Sequence, residues 1–185
     1  MADTGVKPFS NALNSFGSGG KAWVDASLAL ANDGYEAFAI SPDSGGNTGD
    51  GAQQSQQLHT YNWSNSIPST ATINGIECHL KARAPYDYWA TQPCYAEVYL
   101  ADGGGNAPYF KTAALTSFSN NYILGGATDL WSRSWTPATI SAAYFYTIVK
   151  SYDGFGIEAY IDFVGIKVYY TEAAAPSTGG FWLVH

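Results

Sequence analysis

The fourteen residues ATINGIECHLKARA, 71–84, constrain this chain more than any other stretch. Ile76, Cys78, Leu80 and Ala82 fall at every second position, and Glu77, His79, Lys81 and Arg83 fill the places between them. Successive side chains of a strand point to opposite faces, so this spacing describes a strand with one buried and one wet face. CYAEVYLA, 94–101, repeats the pattern, with Cys94, Ala96, Val98 and Leu100 opposite Tyr95, Glu97 and Tyr99.

Further strands are expected at 35–40, 57–63, 109–115, 144–150 and 155–170, with Gly165 marking a bulge or a close backbone approach. Turn residues separate them, as in ADGGGNAP, and short helical stretches fit only around 24–30 or after Pro137. Strands at this spacing predict an all-β fold, an antiparallel β-sandwich of jelly-roll type. One domain, 21–171, is expected, with an extended N-terminal arm, 1–20, and a C-terminal tail, 172–185. The arm is expected to lie on its own domain or on a neighbour's.

Charged residues make up 12% of the chain and aromatics 16%, so the surface is unusually uncharged and suited to contact with other surfaces. Eight lysines and arginines against a net charge of −7 leave no cationic cluster for phosphates, so no nucleic-acid partner is expected. No apolar run approaches a membrane span, and the amino end lacks a basic start followed by an apolar stretch. Neither a membrane partner nor a signal peptide is expected.

The sequence carries no G-x-S-x-G, H-E-x-x-H or P-loop pattern. His59, His79 and His185 are scattered, and Asp87, Asp102, Asp129 and Asp162 read as structural or surface acids. No catalytic residue, cofactor or resident metal is expected, and the chain does not read as an enzyme. Cys78 and Cys94 read as reduced, buried thiols, with a disulfide between neighbouring strands as the alternative. The loop SPDSGGNTGDG, 41–51, offers Asp43, Asn47 and Asp50 as oxygen ligands for calcium but matches no calcium-loop pattern, and reads as a plain loop.

Three aromatic groups suit interaction. Tyr86, Tyr88 and Trp89 form either an interface anchor or a stacking platform for a sugar. Phe181, Trp182 and Leu183 end a tail expected to dock in a groove. Trp131 and Trp135, in GGATDLWSRSWTPATI, 125–140, read as a structural brace on a connection crossing between sheets. Asp129 caps the turn there, and Arg133 is expected to point away from the indoles.

WVD, NDGYEAFA, IPSTATINGIE, GGATDLWSRSWTPATI and IDFVGIKVYYT, in that order between Trp23 and Thr171, resemble a β-sandwich domain of structural proteins of tailed bacteriophages. The family pattern tends to carry glycine after the first tryptophan of the fourth motif, where this chain has Ser132. The resemblance implies a virion component, made in the host cytoplasm, with no catalytic residues to carry over. The expectation is a capsid decoration (cement) protein or a small tail or fibre component, contacting copies of itself, as a trimer for example, and a capsid or tail protein. The alternative is a carbohydrate-binding or receptor-binding module with a glycan partner.

Overall fold

A computed structural model describes residues 1–15, 22–40, 53–54, 57–64, 66–85, 94–101, 109–151 and 158–174. Its strands are β1 (Ala2–Asp3), β2 (Lys7–Pro8), β3 (Asn11–Ser15), β4 (Ala37–Ile40), β5 (Gln53–Gln54) and β6 (Gln57–Tyr61). They continue with β7 (Thr72–Arg83), β8 (Tyr95–Ala101), β9 (Phe110–Ala114), β10 (Asn120–Gly126), β11 (Tyr144–Ser151) and β12 (Glu158–Thr171). One short α-helix, α1 (Pro137–Ser141), and a 3-10 turn at Ala26–Ala29 occupy the two places where the sequence allowed helix.

The strands form two six-stranded antiparallel sheets. In the first, here sheet A, the order β4-β12-β7-β10 is completed by β2 and β1, which follow β4 along the same edge of β12. In the second, sheet B, the order β6-β11-β8-β9 is flanked by β3 on β6 and β5 on β11. Eight strands paired in these two orders make a jelly roll.

The core lies between the sheets. Ile76, Cys78, Leu80 and Ala82 of β7 meet Ile161, Val164, Ile166 and Val168 of β12 on one side. Leu58, Ala96, Val98, Leu100 and Phe145 supply the other side, and all of these side chains are fully buried. The first fifteen residues belong to this sandwich. β1 and β2 pair with β12, β3 pairs with β6, and between them Phe9 packs edge-on against Phe145 at 5.5 Å. Of the two placements expected for the arm, residues 1–15 take the one on their own domain.

Two local features depart from the sequence reading, and a third decides between its alternatives. β10 has no counterpart among the expected strands, because NNYILGG is bounded by turn-forming residues at both ends. Glu97 lies on the outward face of β8 by alternation but is only 4% exposed. Gly165 marks a close approach, since a Cβ there would lie 2.5 Å from the Phe163 ring and 3.1 Å from the Lys7 carbonyl oxygen. The register shifts of β12 fall elsewhere, at Asp162 and between Tyr169 and Tyr170.

Candidate functional site

The two outer faces differ in chemistry. On sheet A, charges are matched to one another. Arg83 is held by Glu36 at 2.6 Å and lies 4.1 Å over the ring of Tyr160. Lys81 meets the buried Asp162 at 2.6 Å, Lys167 meets Asp3 at 3.4 Å, and Glu77 takes His79 at 3.0 Å and the Tyr169 hydroxyl at 2.7 Å. Such a face has its hydrogen-bonding capacity largely satisfied from within.

Apart from Glu97 and Lys150, the outward register positions of sheet B carry aromatic, apolar or uncharged polar residues. Its registers place Leu13 opposite His59, His59 opposite Tyr146, Tyr146 opposite Tyr99, and Tyr99 opposite Phe110. One row of residues thus crosses five of the sheet's six strands, about 19 Å at the usual strand spacing of ~4.8 Å. Leu13 and Phe110, at its ends, are 41% and 48% exposed. Asn11 and Tyr61 form the next row on one side, and Glu97 lies opposite Ile148 and Thr112 on the other.

Two pairs spaced two residues apart flank β11. On β6, His59 Nε2 lies 2.7 Å from Gln57 Oε1. On β8, the Tyr99 hydroxyl donates to Glu97 Oε2 at 2.7 Å, and the Tyr99 ring packs tilted against Phe110 with centroids 5.1 Å apart. Burial pushes the His59 imidazole below its ordinary pKa, so it is neutral near pH 7. Glu97, nearly enclosed, fixes the orientation of the Tyr99 hydroxyl. These polar groups are thereby held in place, an arrangement that lowers the entropy a ligand must remove on binding.

Beside this row lies a cleft of about 320 Å³, lined by Leu13, His59, Tyr61, Asn62, Ser141 and Ala142. Its size is at the small end of ligand cavities, ~300–1,000 Å³. Asn62 turns the chain out of β6 with a left-handed φ of 59°, and Ala142 caps α1, so the end of the helix forms one wall. α1 itself is fixed by a reciprocal cap. Thr136 Oγ1 accepts from the Thr139 amide, and Thr139 Oγ1 accepts from the Thr136 amide, with Pro137 opening the first turn.

The tryptophan loop lies away from this face. Trp131 and Trp135 are buried, but through a turn and not through a strand, because Trp131 and Ser132 adopt left-handed φ of 54° and 56°. Trp131 Nε1 donates to the Ile76 carbonyl of sheet A at 3.0 Å, and its ring lies 5.5 Å from Phe145 of sheet B. Gly125 gives it room, since a Cβ there would meet Trp131 Nε1 at 2.8 Å. Asp129 caps the turn by accepting the Trp131 amide at 2.8 Å, and Lys111 pairs with Asp129 at 2.6 Å. Trp135 donates to the Leu130 carbonyl, and Arg133 sits over its ring at 5.7 Å rather than pointing away.

Tyr86, Tyr88, Trp89, Phe181, Trp182, Leu183, the loop 41–51, Asp87, Asp102 and His185 lie outside the described residues. Cys78 and Cys94 are free and buried, and burial raises both thiols, Cys94 to about 12, which keeps them protonated and unreactive. Among the described residues, no group of three His, Cys, Asp or Glu side chains is placed to hold a metal ion, and no helix is long and apolar enough to cross a membrane. His59, Tyr61, Tyr99 and Phe110 received no binding role from the sequence. The alternation of CYAEVYLA marks Tyr99 as outward, but only the register joins it to Phe110 and, through β11, to His59.

No protein-family model and no curated protein matches the chain. Among solved structures, it is similar to the carbohydrate-binding module TmCBM61 in complex with β-1,4-galactotriose, at 10% identity over 90% of this chain and 91% of that one, TM-score 0.42. The N-terminal cellulose-binding domain of Cellulomonas fimi β-1,4-glucanase C is similar at 10% identity over 89% and 88%, TM-score 0.40. The enzymatically active domain of bacteriophage CBA120 tailspike protein 4 is similar at 12% identity over 73% of this chain and 15% of that one, TM-score 0.37. Identities of this order concern architecture and say nothing of the site.

Proposed function

We propose that this chain is a carbohydrate-binding module that takes a glycan along the outer face of sheet B. The observation that carries the reading is the row from Leu13 through His59 and Tyr99 to Phe110, with polar partners held at fixed distances beside it. A pyranose ring has an apolar C–H face and a rim of hydroxyls. Aromatic surface covers the first, while polar groups such as Gln57, His59 and the Tyr99 hydroxyl, the last oriented by the buried Glu97, answer the second. The open 320 Å³ cleft at one end is of a size for a single sugar ring, and not for the ~800 Å² that a protein partner buries on each side.

A decoration protein reaching its neighbours by an N-terminal arm fits this geometry less well, because residues 1–15 are paired within the chain's own sheets. A virion origin, which the sequence resemblance implies, is compatible with a glycan-binding face as the receptor-binding element of a tail component.

Affinity electrophoresis through gels containing neutral β-linked glucans, galactans and bacterial surface polysaccharides tests the reading. At least one should retard the protein, and Tyr99→Ala and Phe110→Ala should each weaken binding about tenfold or more, ~1.4 kcal/mol. Migration unaffected by every polysaccharide, with no change in tyrosine or tryptophan fluorescence, overturns it. Retention equal to wild type in both variants moves the site off this face.

A further inference from the structure

Three of the four sheet edges are blunted in ways that discourage pairing with another chain. The β12 edge of sheet A is covered by β4, β2 and β1, none longer than four residues. In sheet B, one edge is made by the two-residue β5 and the five-residue β3, and the other by β9, which carries Lys111. β10 differs. It is seven residues long, its ladder with β7 runs in unbroken register from Asn120 to Gly126, and among the described residues no strand pairs with its other side. It holds no proline and no charge.

The surroundings share this character. No charged residue occurs from Thr112 to Thr128, seventeen positions, in a chain of net charge −7. Ile123, at the centre of β10, is 59% exposed, and Phe118, just before the strand, is 80% exposed. Surface carrying large apolar side chains beside open backbone donors and acceptors is a template for strand addition.

We infer that β10 pairs antiparallel with β10 of a second copy, about a two-fold axis at Ile123, joining two A sheets into one. The strand is complementary to itself in that register. Ile123 then meets its own counterpart on the outer face, and Tyr122 meets the partner's Leu124 on the core side. Asn120 and Asn121 meet the partner's Gly126 and Gly125, so the bulkier half of each strand faces the half without side chains. Like charges opposite one another destabilise a strand pair, and this segment has none to oppose. Such a two-fold contact closes on itself and stops at a dimer. About 24 Å of paired strand, at ~3.4 Å per residue, is a small interface, so the dimer dissociates on dilution.

Sedimentation velocity of the whole chain over a dilution series tests this. Wild type should pass from dimer to monomer as it is diluted, and Ile123→Val should do the same. Ile123→Lys, which sets two ammonium groups against each other on the axis, should be monomeric throughout while still binding any glycan that wild type binds. A wild type that is monomeric at every concentration, or a dimer that Ile123→Lys leaves intact, overturns the inference. Should the lysine variant lose its fold, hydrogen exchange on the unaltered chain decides. Amides of 120–126 should gain protection with concentration, and concentration-independent exchange overturns the pairing.

Discussion

Trp131 joins the two sheets through two contacts, donating its indole N–H to Ile76 of sheet A while its ring packs on Phe145 of sheet B. Trp131→Ala should remove both and leave a cavity, at a cost of about 3–5 kcal/mol. For a chain of this size that is roughly a 10 °C fall in melting temperature, measured by calorimetry. Trp131→Phe, which keeps an aromatic ring of smaller size and loses the hydrogen bond, should fall less.

Ser132 sits next in the chain with φ of 56°, a conformation that costs an L-residue roughly 1–2 kcal/mol and glycine little. Ser132→Gly should therefore raise stability, by up to about 1 kcal/mol after the greater freedom of glycine in the unfolded chain is counted. Urea denaturation of the two proteins side by side checks the sign. A stability below wild type would show that the turn is held by contacts of the serine side chain.

Asp162 is 1% exposed and serves three donors, Lys81 Nζ at 2.6 Å and the amides of Asp33 and Gly34 at 3.2 and 3.1 Å. It pins the 31–34 segment onto sheet A. Asp162→Ala should leave the Asp33 and Gly34 amides without this acceptor and Lys81 with its 2.7 Å bond to Asn32 Oδ1, at a cost of about 1–3 kcal/mol. Amide exchange at Asp33 and Gly34 should accelerate beyond the change seen in the core of β7, since the segment opens before the sheet does.

His59 gives the fold a pH dependence of known sign. Its folded pKa lies below the unfolded value of about 6.5, so the unfolded chain binds the proton more readily. The stabilisation from this group is complete above pH 6.5 and is lost as pH falls through the window below it, levelling off under the folded pKa. Chemical denaturation between pH 7.5 and about 5 should show that decline, and His59→Gln should flatten its contribution.

Much of the sandwich is legible in the sequence because half-buried strands alternate. β7 and β8 fall where their alternation puts them, and their inward residues form the core. What escaped was of two kinds. β10 and the two-residue β1 and β2 carry too few alternating apolar positions to be told from turns, and they are strands because β7 and β12 offer them a ladder. The outer face of sheet B was hidden for a different reason. His59, Tyr99 and Phe110 are separated by up to fifty-one positions and become neighbours only through register, which local spacing does not encode. Glu97 illustrates the same limit, since alternation gives the face of a side chain but not what covers it.

The pairing of Ala2 with Tyr170 has a consequence for how the domain can be joined to anything else. One register pair brings the first strand of the fold alongside the end of the last, so the path of the chain closes almost into a ring. Any polypeptide attached before Ala2 or after Thr171 leaves from a single corner of the sandwich. A short linker across that corner, with new ends opened in the bend between β9 and β10, would produce a permuted chain with the same two sheets.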